Sequence, residues 1–113
     1  MKIVRNKELV PYQAKGHYNM LAQRIHSKEI SGSEMLTLGL SWFLPGGGAE
    51  FNTVSEGMEL IYYIVEGTMN LTTDKETILL TAGDSCLFQP GEGRAIKNET
   101  NRPAAMLVIS AKK

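Results

Sequence analysis

The run Leu60-Ile61-Tyr62-Tyr63-Ile64-Val65-Glu66-Gly67 decides the fold of this chain, because five β-branched or aromatic residues in succession end at a glycine. A second glycine-marked segment begins at Gly83-Asp84 and runs through Pro90-Gly91 to Asn98. Upstream, Pro45-Gly46-Gly47-Gly48 opens the first segment. The two segments are spaced as two halves of one small β-barrel.

Other β-rich stretches recur between turn signals along the rest of the chain, and no helical periodicity competes with them. Glu66-Gly67 and Asp74-Lys75 stand where hairpin turns are needed. We therefore expect an all-β domain with strands near residues 17–26, 35–43, 60–65, 68–73, 77–80, 86–89, 95–98 and 106–110.

The two glycine-marked segments resemble the two motifs of the cupin family, strongly over residues 45–98 and as a whole barrel over 16–110. The resemblance implies a double-stranded β-helix, also called a jelly-roll barrel. It implies one domain over residues 1–113, with residues 1–15 as an N-terminal arm or edge strand. Cupins also pair commonly, so a homodimer is expected, formed through edge strands or through the segment Lys2–Val10 crossing to a second subunit.

The metal site that the resemblance implies is replaced in this chain. In the family pattern a His-x-His pair, a glutamate and a further histidine hold one metal ion. The matching positions here carry Thr53, Ser55, Leu60 and Arg94. Since these residues lack the imidazole and carboxylate donors of such sites, no metal or other cofactor is predicted. A divalent metal held by Glu59 with His17 or His26 is the alternative.

Composition excludes several classes of partner. The chain has 113 residues, 42% of them hydrophobic, with 12 basic and 12 acidic residues. This balance gives no long-range field to attract nucleic acid or an anionic membrane, so neither is expected as a partner. A single Cys86 allows no intramolecular disulfide, and the first residues show no signal sequence. We predict a cytoplasmic location.

A small ligand is expected in the open end of the barrel. Strand alternation places Leu60, Tyr62 and Ile64 on one face, which the resemblance makes the inner face. Arg94 would enter the same space, where its guanidinium can bind a carboxylate or phosphate. Alternatively, Arg94 lies on the rim and pairs with Glu92 or Glu99. The predicted ligand-binding residues are Arg94, Tyr62, Trp42, Ser55 and Thr53.

Two hypotheses follow for the function. The first is a binding protein for a small, anionic organic ligand. The second is a metal-independent or atypically metallated isomerase, lyase or decarboxylase acting on a small carboxylate, with Glu59, Tyr62 or His26 as catalytic candidates. Glu59 would need a β-bulge to turn it inward. His17 and His26 are nine positions apart, so a regular strand would send them to opposite faces.

Overall fold

The computed structural model describes residues 1–112, and these form an antiparallel barrel of eight strands. The strands are β1 (His17–His26), β2 (Leu36–Thr53), β3 (Met58–Glu66), β4 (Thr68–Thr72), β5 (Thr77–Thr81), β6 (Ser85–Phe88), β7 (Gly93–Lys97) and β8 (Ala104–Lys112). A 3-10 turn spans Asn6–Glu8 and one helical turn, α1, spans Lys28–Ser31. The all-β jelly-roll prediction is confirmed.

The long strand β2 joins the two sheets of the barrel. The strand order is β5-β4-β7-β2-β8-β3-β6, with β1 paired to β2 outside this path. The first half of β2 pairs with β8 and β1, and its second half pairs with β7. One sheet therefore contains β1, β2, β8, β3 and β6, which we call the front sheet. The back sheet contains β5, β4, β7 and the end of β2.

The core lies between the two sheets and follows the expected alternation on β3. Leu60, Tyr62 and Ile64 are buried, and Tyr63 and Val65 between and beyond them are exposed. The neighbouring strands add Met106 and Phe43 from the front sheet, while Met69 and Ile96 come from the back sheet. Burial of these apolar side chains holds the sheets together.

Glycines allow close approach of strands at two places. A Cβ atom on Gly47 would overlap the carbonyl oxygen of Asn19, and one on Gly48 would overlap that of Ile96.

The prediction that Glu66-Gly67 forms a hairpin is wrong, because β3 and β4 belong to different sheets and do not pair. Gly67 instead carries the chain from one sheet to the other, with φ of 79° and Pro103 packed closely against it.

Two further features differ from the sequence prediction. The chain remains a strand through Pro45 and the three glycines, because Gly46 absorbs the irregularity in a left-handed conformation with φ of 81°. The short helix α1 was also not predicted. It begins at Ser27, whose side chain accepts a hydrogen bond from the Ile30 amide, and ends at left-handed Gly32.

The N-terminal segment contacts the protein's own first strand. Tyr12 and Ala22 exchange two backbone hydrogen bonds of 2.8 Å. Whether residues before Tyr12 also reach a second subunit stays a prediction. Among residues 1–112, no helix is long and apolar enough to cross a membrane.

Candidate ligand-binding site

Half-buried Arg94 is held in place by three neighbours. Its Nε donates a hydrogen bond of 3.0 Å to the Tyr62 hydroxyl, and its Nη1 donates one of 2.9 Å to the Asn52 carbonyl. The guanidinium carbon lies 5.7 Å from the centre of the Tyr62 ring and 5.9 Å from that of Phe88. Two hydrogen bonds and two aromatic faces therefore fix the orientation of the guanidinium.

The charge of Arg94 has no carboxylate partner among the residues that the structure describes. Glu92 accepts a hydrogen bond from the Gln89 amide, and Glu99 accepts one from the Asn70 side chain. Across residues 1–112, the ion pair found joins Lys28 to Glu34 at 4.0 Å. The alternative in which Arg94 pairs with Glu92 or Glu99 is wrong. The guanidinium retains donors for an external anion.

Arg94 lies where two cavities meet. The first has a volume of about 260 Å³ and lies inside the front sheet, and the second has a volume of about 390 Å³. His17, Tyr62, Arg94 and Ile96 line both. The lining of the first cavity contains two arginines, Arg24 and Arg94, and no aspartate or glutamate. The positive charge of this lining therefore favours a negatively charged ligand.

Tyr62 supports Arg94 as a neutral phenol. The side chain is 5% exposed, and the Phe88 ring meets it edge-on with centroids 5.3 Å apart. Burial raises the pKa of the Tyr62 hydroxyl above its ordinary value, and the nearby Arg94 charge offsets only part of this effect. At neutral pH the hydroxyl is therefore protonated, so it accepts from Arg94 and can donate its own proton to a ligand.

His17 is the histidine that faces the cavities. Asn19, with φ of 47°, lies at an irregularity in the pairing of β1 with β2. The Nδ1 atom of His17 is 2.8 Å from the Lys15 carbonyl oxygen, which can only accept, so Nδ1 carries the proton. Nε2 is therefore the ring nitrogen that is left to contact a ligand. The sequence had favoured His26 for this role.

His26 and Glu59 lie elsewhere. His26 contacts the Ser31 hydroxyl at 2.8 Å beside helix α1 and lines neither cavity. Glu59 sits in a regular stretch of β3, opposite Ala111, and likewise lines neither cavity. The bulge that would turn Glu59 inward is absent at this position of β3. The structure therefore does not bring these two catalytic candidates to the site.

Three of the five predicted ligand-binding residues also lie away from the cavities. Trp42 is 43% exposed on the outer side of the front sheet, where its Nε1 donates to the Gln23 side chain, and Phe43 takes the inward position. Thr53 and Ser55 are exposed because Val54 between them is buried in the core. The expectation that Trp42, Thr53 and Ser55 face the ligand space is wrong, whereas Tyr62 and Arg94 do line it.

The residues at the family's metal positions do not fit a metal ion. Leu60 is buried in the core, and Arg94 fills the fourth position with a fixed positive charge. Among residues 1–112, no three histidine, cysteine, aspartate or glutamate side chains cluster closely enough to hold a metal ion. The interior of this barrel offers hydrogen-bond donors and an imidazole instead of a set of metal ligands.

Sequence comparison agrees with the barrel fold. A family model described as the cupin domain matches residues 40–110. The chain therefore belongs to the cupin domain family, and it is a cupin barrel protein of unassigned function.

Individual relatives carry different activities in their names. The chain is 33% identical over 111 residues to a protein named beta-D-galactosidase from Mycobacterium tuberculosis, covering 98% of this chain and 94% of that protein. It superposes with a TM-score of 0.85 on a predicted oxalate decarboxylase from Thermotoga maritima, at 22% identity, covering 99% of this chain and all (100%) of that one. It superposes with a TM-score of 0.86 on the polyketide cyclase RemF from Streptomyces resistomycificus, at 17% identity and covering 100% and 80% of the two chains. The two structures show a common fold.

Proposed function

We propose that this protein binds a small organic anion in the centre of its barrel, with Arg94 as the anchor. The observation that carries the proposal is the fixed guanidinium that lacks a carboxylate partner within residues 1–112 and lies where two cavities meet. A buried or half-buried positive charge is costly unless it is compensated, and an anionic ligand compensates it. A carboxylate or phosphate fits the planar donor geometry of arginine.

The cavities limit the size of the ligand. Volumes of about 260 Å³ and 390 Å³ suit a molecule of the size of a small acid or one sugar unit. The relative named beta-D-galactosidase supports including sugars among the candidates. Glycosidases ordinarily need two carboxylates across the scissile bond. The first cavity has no such residue in its lining and the second has only Glu50, so the site supports binding of a sugar acid better than hydrolysis of a glycoside.

The cellular setting is part of the same proposal. We expect the protein to act in the cytoplasm, where free thiols such as that of Cys86 remain reduced. Burial raises the pKa of this thiol, which makes it a poor nucleophile. The proposed function accordingly depends on Arg94, Tyr62 and His17 and assigns no chemistry to Cys86.

A matched panel of ligands tests the binding proposal. Thermal unfolding is measured with glycolate, oxalate, galacturonate and inorganic phosphate, and with the uncharged controls ethylene glycol and galactose. At least one anion should raise the melting temperature, whereas its neutral counterpart should not. Arg94→Gln should weaken the binding of that anion by about 10-fold or more, because it removes charge-assisted hydrogen bonds.

Arg102→Gln is the matched control, since Arg102 is exposed and lines neither cavity. This variant should bind the anion like the wild type. Stabilisation by neutral and anionic ligands alike, or an unchanged affinity in Arg94→Gln, would overturn the role assigned to Arg94.

His17 favours an enzymatic second candidate. An imidazole whose Nδ1 donates to the Lys15 carbonyl presents Nε2 as the candidate proton acceptor in the same cavities as Arg94. If Arg94 binds the carboxylate of a ligand, the ligand carbon next to that carboxylate lies in the cavities that His17 also lines. We propose, as the enzymatic alternative, an isomerase or related enzyme. In its reaction, His17 Nε2 would accept the proton from that carbon and then return a proton to form the product.

Exchange of that proton with solvent separates the two candidates. Glycolate and galacturonate, the two anions of the panel with a hydrogen on the carbon next to the carboxylate, are incubated with the protein in D₂O, and loss of that proton signal is followed by NMR. The enzyme hypothesis expects exchange in the wild type and none in His17→Gln, with binding retained. No exchange in the wild type would leave the protein as a binding module.

A further inference from the structure

Arg24 is the second arginine of the first cavity, the one of about 260 Å³ inside the front sheet. It follows buried Met20 and Ala22 at intervals of two residues along β1, so strand alternation directs it to the inner side of the sheet. Gln23 points outward, where it accepts a hydrogen bond from exposed Trp42. Arg24 is itself exposed to solvent, so its guanidinium lies at the rim of the cavity that it lines.

One cross-strand row of the front sheet connects the two arginines. Arg24 is paired with Gly39, and Gly39 is paired with Val108. Val108 is in turn paired with Tyr62, whose ring lies against the guanidinium of Arg94. Three strand spacings put the backbone ends of this row roughly 14 Å apart. The two positive charges therefore belong to opposite ends of one row.

The middle of the row leaves space for a ligand between the two charges. Gly39 has no side chain, and a Cβ atom there would meet the Gln23 carbonyl oxygen at 3.4 Å and, its chain neighbours apart, no other atom within 4 Å. The cavity volume of about 260 Å³ holds on the order of nine groups of the size of a water molecule, at about 30 Å³ each. A dicarboxylate of about four to six carbons has about that many non-hydrogen atoms.

An aromatic hydroxyl fixes Arg24 without neutralising its charge. Its Nη2 donates a hydrogen bond of 2.9 Å to the Tyr12 hydroxyl, and its guanidinium carbon lies 5.2 Å from the centre of the Tyr12 ring. Glu8, Glu29 and Glu34 line two neighbouring cavities together with Arg24. Within residues 1–112, however, no carboxylate oxygen comes within 4.0 Å of an Arg24 nitrogen. The remaining donors of Arg24 are therefore available to an anion.

We propose that the ligand carries two carboxylates, one bound by Arg94 and the other by Arg24 at the opposite end of the row. The inference rests on the function proposed above and narrows the ligand to a dicarboxylate of about four to six carbons. Each guanidinium offers a planar set of donors that matches a carboxylate. The lining of the cavity contains no aspartate or glutamate to repel the second charge. Oxalate, whose two carboxylates are directly bonded, is too short to reach both arginines.

Isothermal titration calorimetry tests the second contact by comparing each dicarboxylate with its own monoamide, which keeps the carbon chain and removes one charge. The pairs are succinate and succinamate, glutarate and glutaramate, and adipate and adipamate. In the wild type, at least one dicarboxylate should bind about 10-fold or more tightly than its monoamide. Arg24→Gln should reduce that ratio to less than about 3-fold, because the second carboxylate loses its charged partner. Arg24→Lys, which keeps the charge, should give an intermediate ratio.

Lys28→Gln is the matched control. It removes a positive charge from a residue that shares a neighbouring cavity with Arg24 and does not line the first one. This variant should keep the wild-type ratio. Circular dichroism establishes that the variants keep their β structure, and Arg24→Met replaces Arg24→Gln if the latter does not fold.

The outcomes separate this inference from the proposed function. Equal binding of dicarboxylate and monoamide in the wild type, or an unchanged ratio in Arg24→Gln, would overturn the second contact and leave Arg94 as the anchor. A ratio that is also lost in Lys28→Gln would overturn it, since the preference would then come from the general charge of this region. Unchanged binding of both ligands in Arg94→Gln would instead contradict the proposed function.

Discussion

Tyr62 and Arg94 act as a pair at the scale of single residues. The phenol accepts the Nε hydrogen bond of Arg94 and the Asn52 carbonyl accepts one from Nη1, which leaves the remaining N–H donors of the guanidinium available for a ligand. Burial, which raises the pKa of Tyr62, keeps the phenol protonated through the physiological range. The pair therefore presents a fixed positive charge beside a neutral hydroxyl, an arrangement suited to a carboxylate or phosphate with adjacent polar groups.

The raised pKa of Tyr62 predicts a loss of stability at alkaline pH. The unfolded chain loses the phenolic proton near pH 10, where the folded protein still holds it. Folded protein then binds more protons than unfolded protein, so the free energy of unfolding falls as the pH rises above about 10 and is unaffected by this group below it. Urea unfolding at pH 8 to 11 should show a smaller decrease in Tyr62→Phe than in the wild type. The exposed control Tyr18→Phe should behave like the wild type, and an equal decrease in all three proteins would contradict the assignment.

Asn98 joins separate elements of the barrel at the scale of secondary structure. It is fully buried, and its Nδ2 donates to the carbonyls of Phe43, Leu44 and Arg102. Its Oδ1 accepts two hydrogen bonds from Thr100. One side chain thus ties the end of β7 to β2 and to the loop before β8.

Removing that side chain should destabilise the barrel. Asn98→Ala leaves buried carbonyl groups without partners, and we expect a loss of about 3 kcal/mol in the free energy of unfolding. The exposed neighbour Asn101 provides the control, and Asn101→Ala should change the value by less than about 0.5 kcal/mol. Denaturant titration measures both. Equal effects in the two variants would show that the network at Asn98 contributes little.

The strands themselves could be predicted from the sequence, since β1 begins and ends where the turn signals place it and β3 alternates as expected. The site could be predicted only in part. Tyr62 follows from alternation, and Arg94 follows from the resemblance to the cupin motifs. Thr53 and Ser55 were misplaced because the structure buries Val54 between them, which turns both side chains outward. By contrast, the position of His17 in the cavities could not be predicted. It accompanies an irregularity at Asn19 in the pairing of β1 with β2, and the sequence of β1 alone does not show how the two strands pair.

At the scale of the whole molecule, the two sheets enclose one interior, and that interior holds the proposed anion site. Tyr62 and Tyr63 show how β3 separates this interior from the outer surface, because adjacent residues of the strand point to opposite sides. The homodimer expected from the sequence stays a prediction, which light scattering coupled to size-exclusion chromatography tests.

The most direct measurement of the central claim is the NMR signal of the Arg94 Nε–H group during titration with an anion from the binding panel. The signal is assigned by its absence in Arg94→Lys. The signal should shift in a saturable manner, with the same dissociation constant as the thermal stabilisation, and the neutral counterpart of the anion should leave it unchanged. An anion that stabilises the protein without moving the Arg94 signal would contradict the role of Arg94 as the anchor.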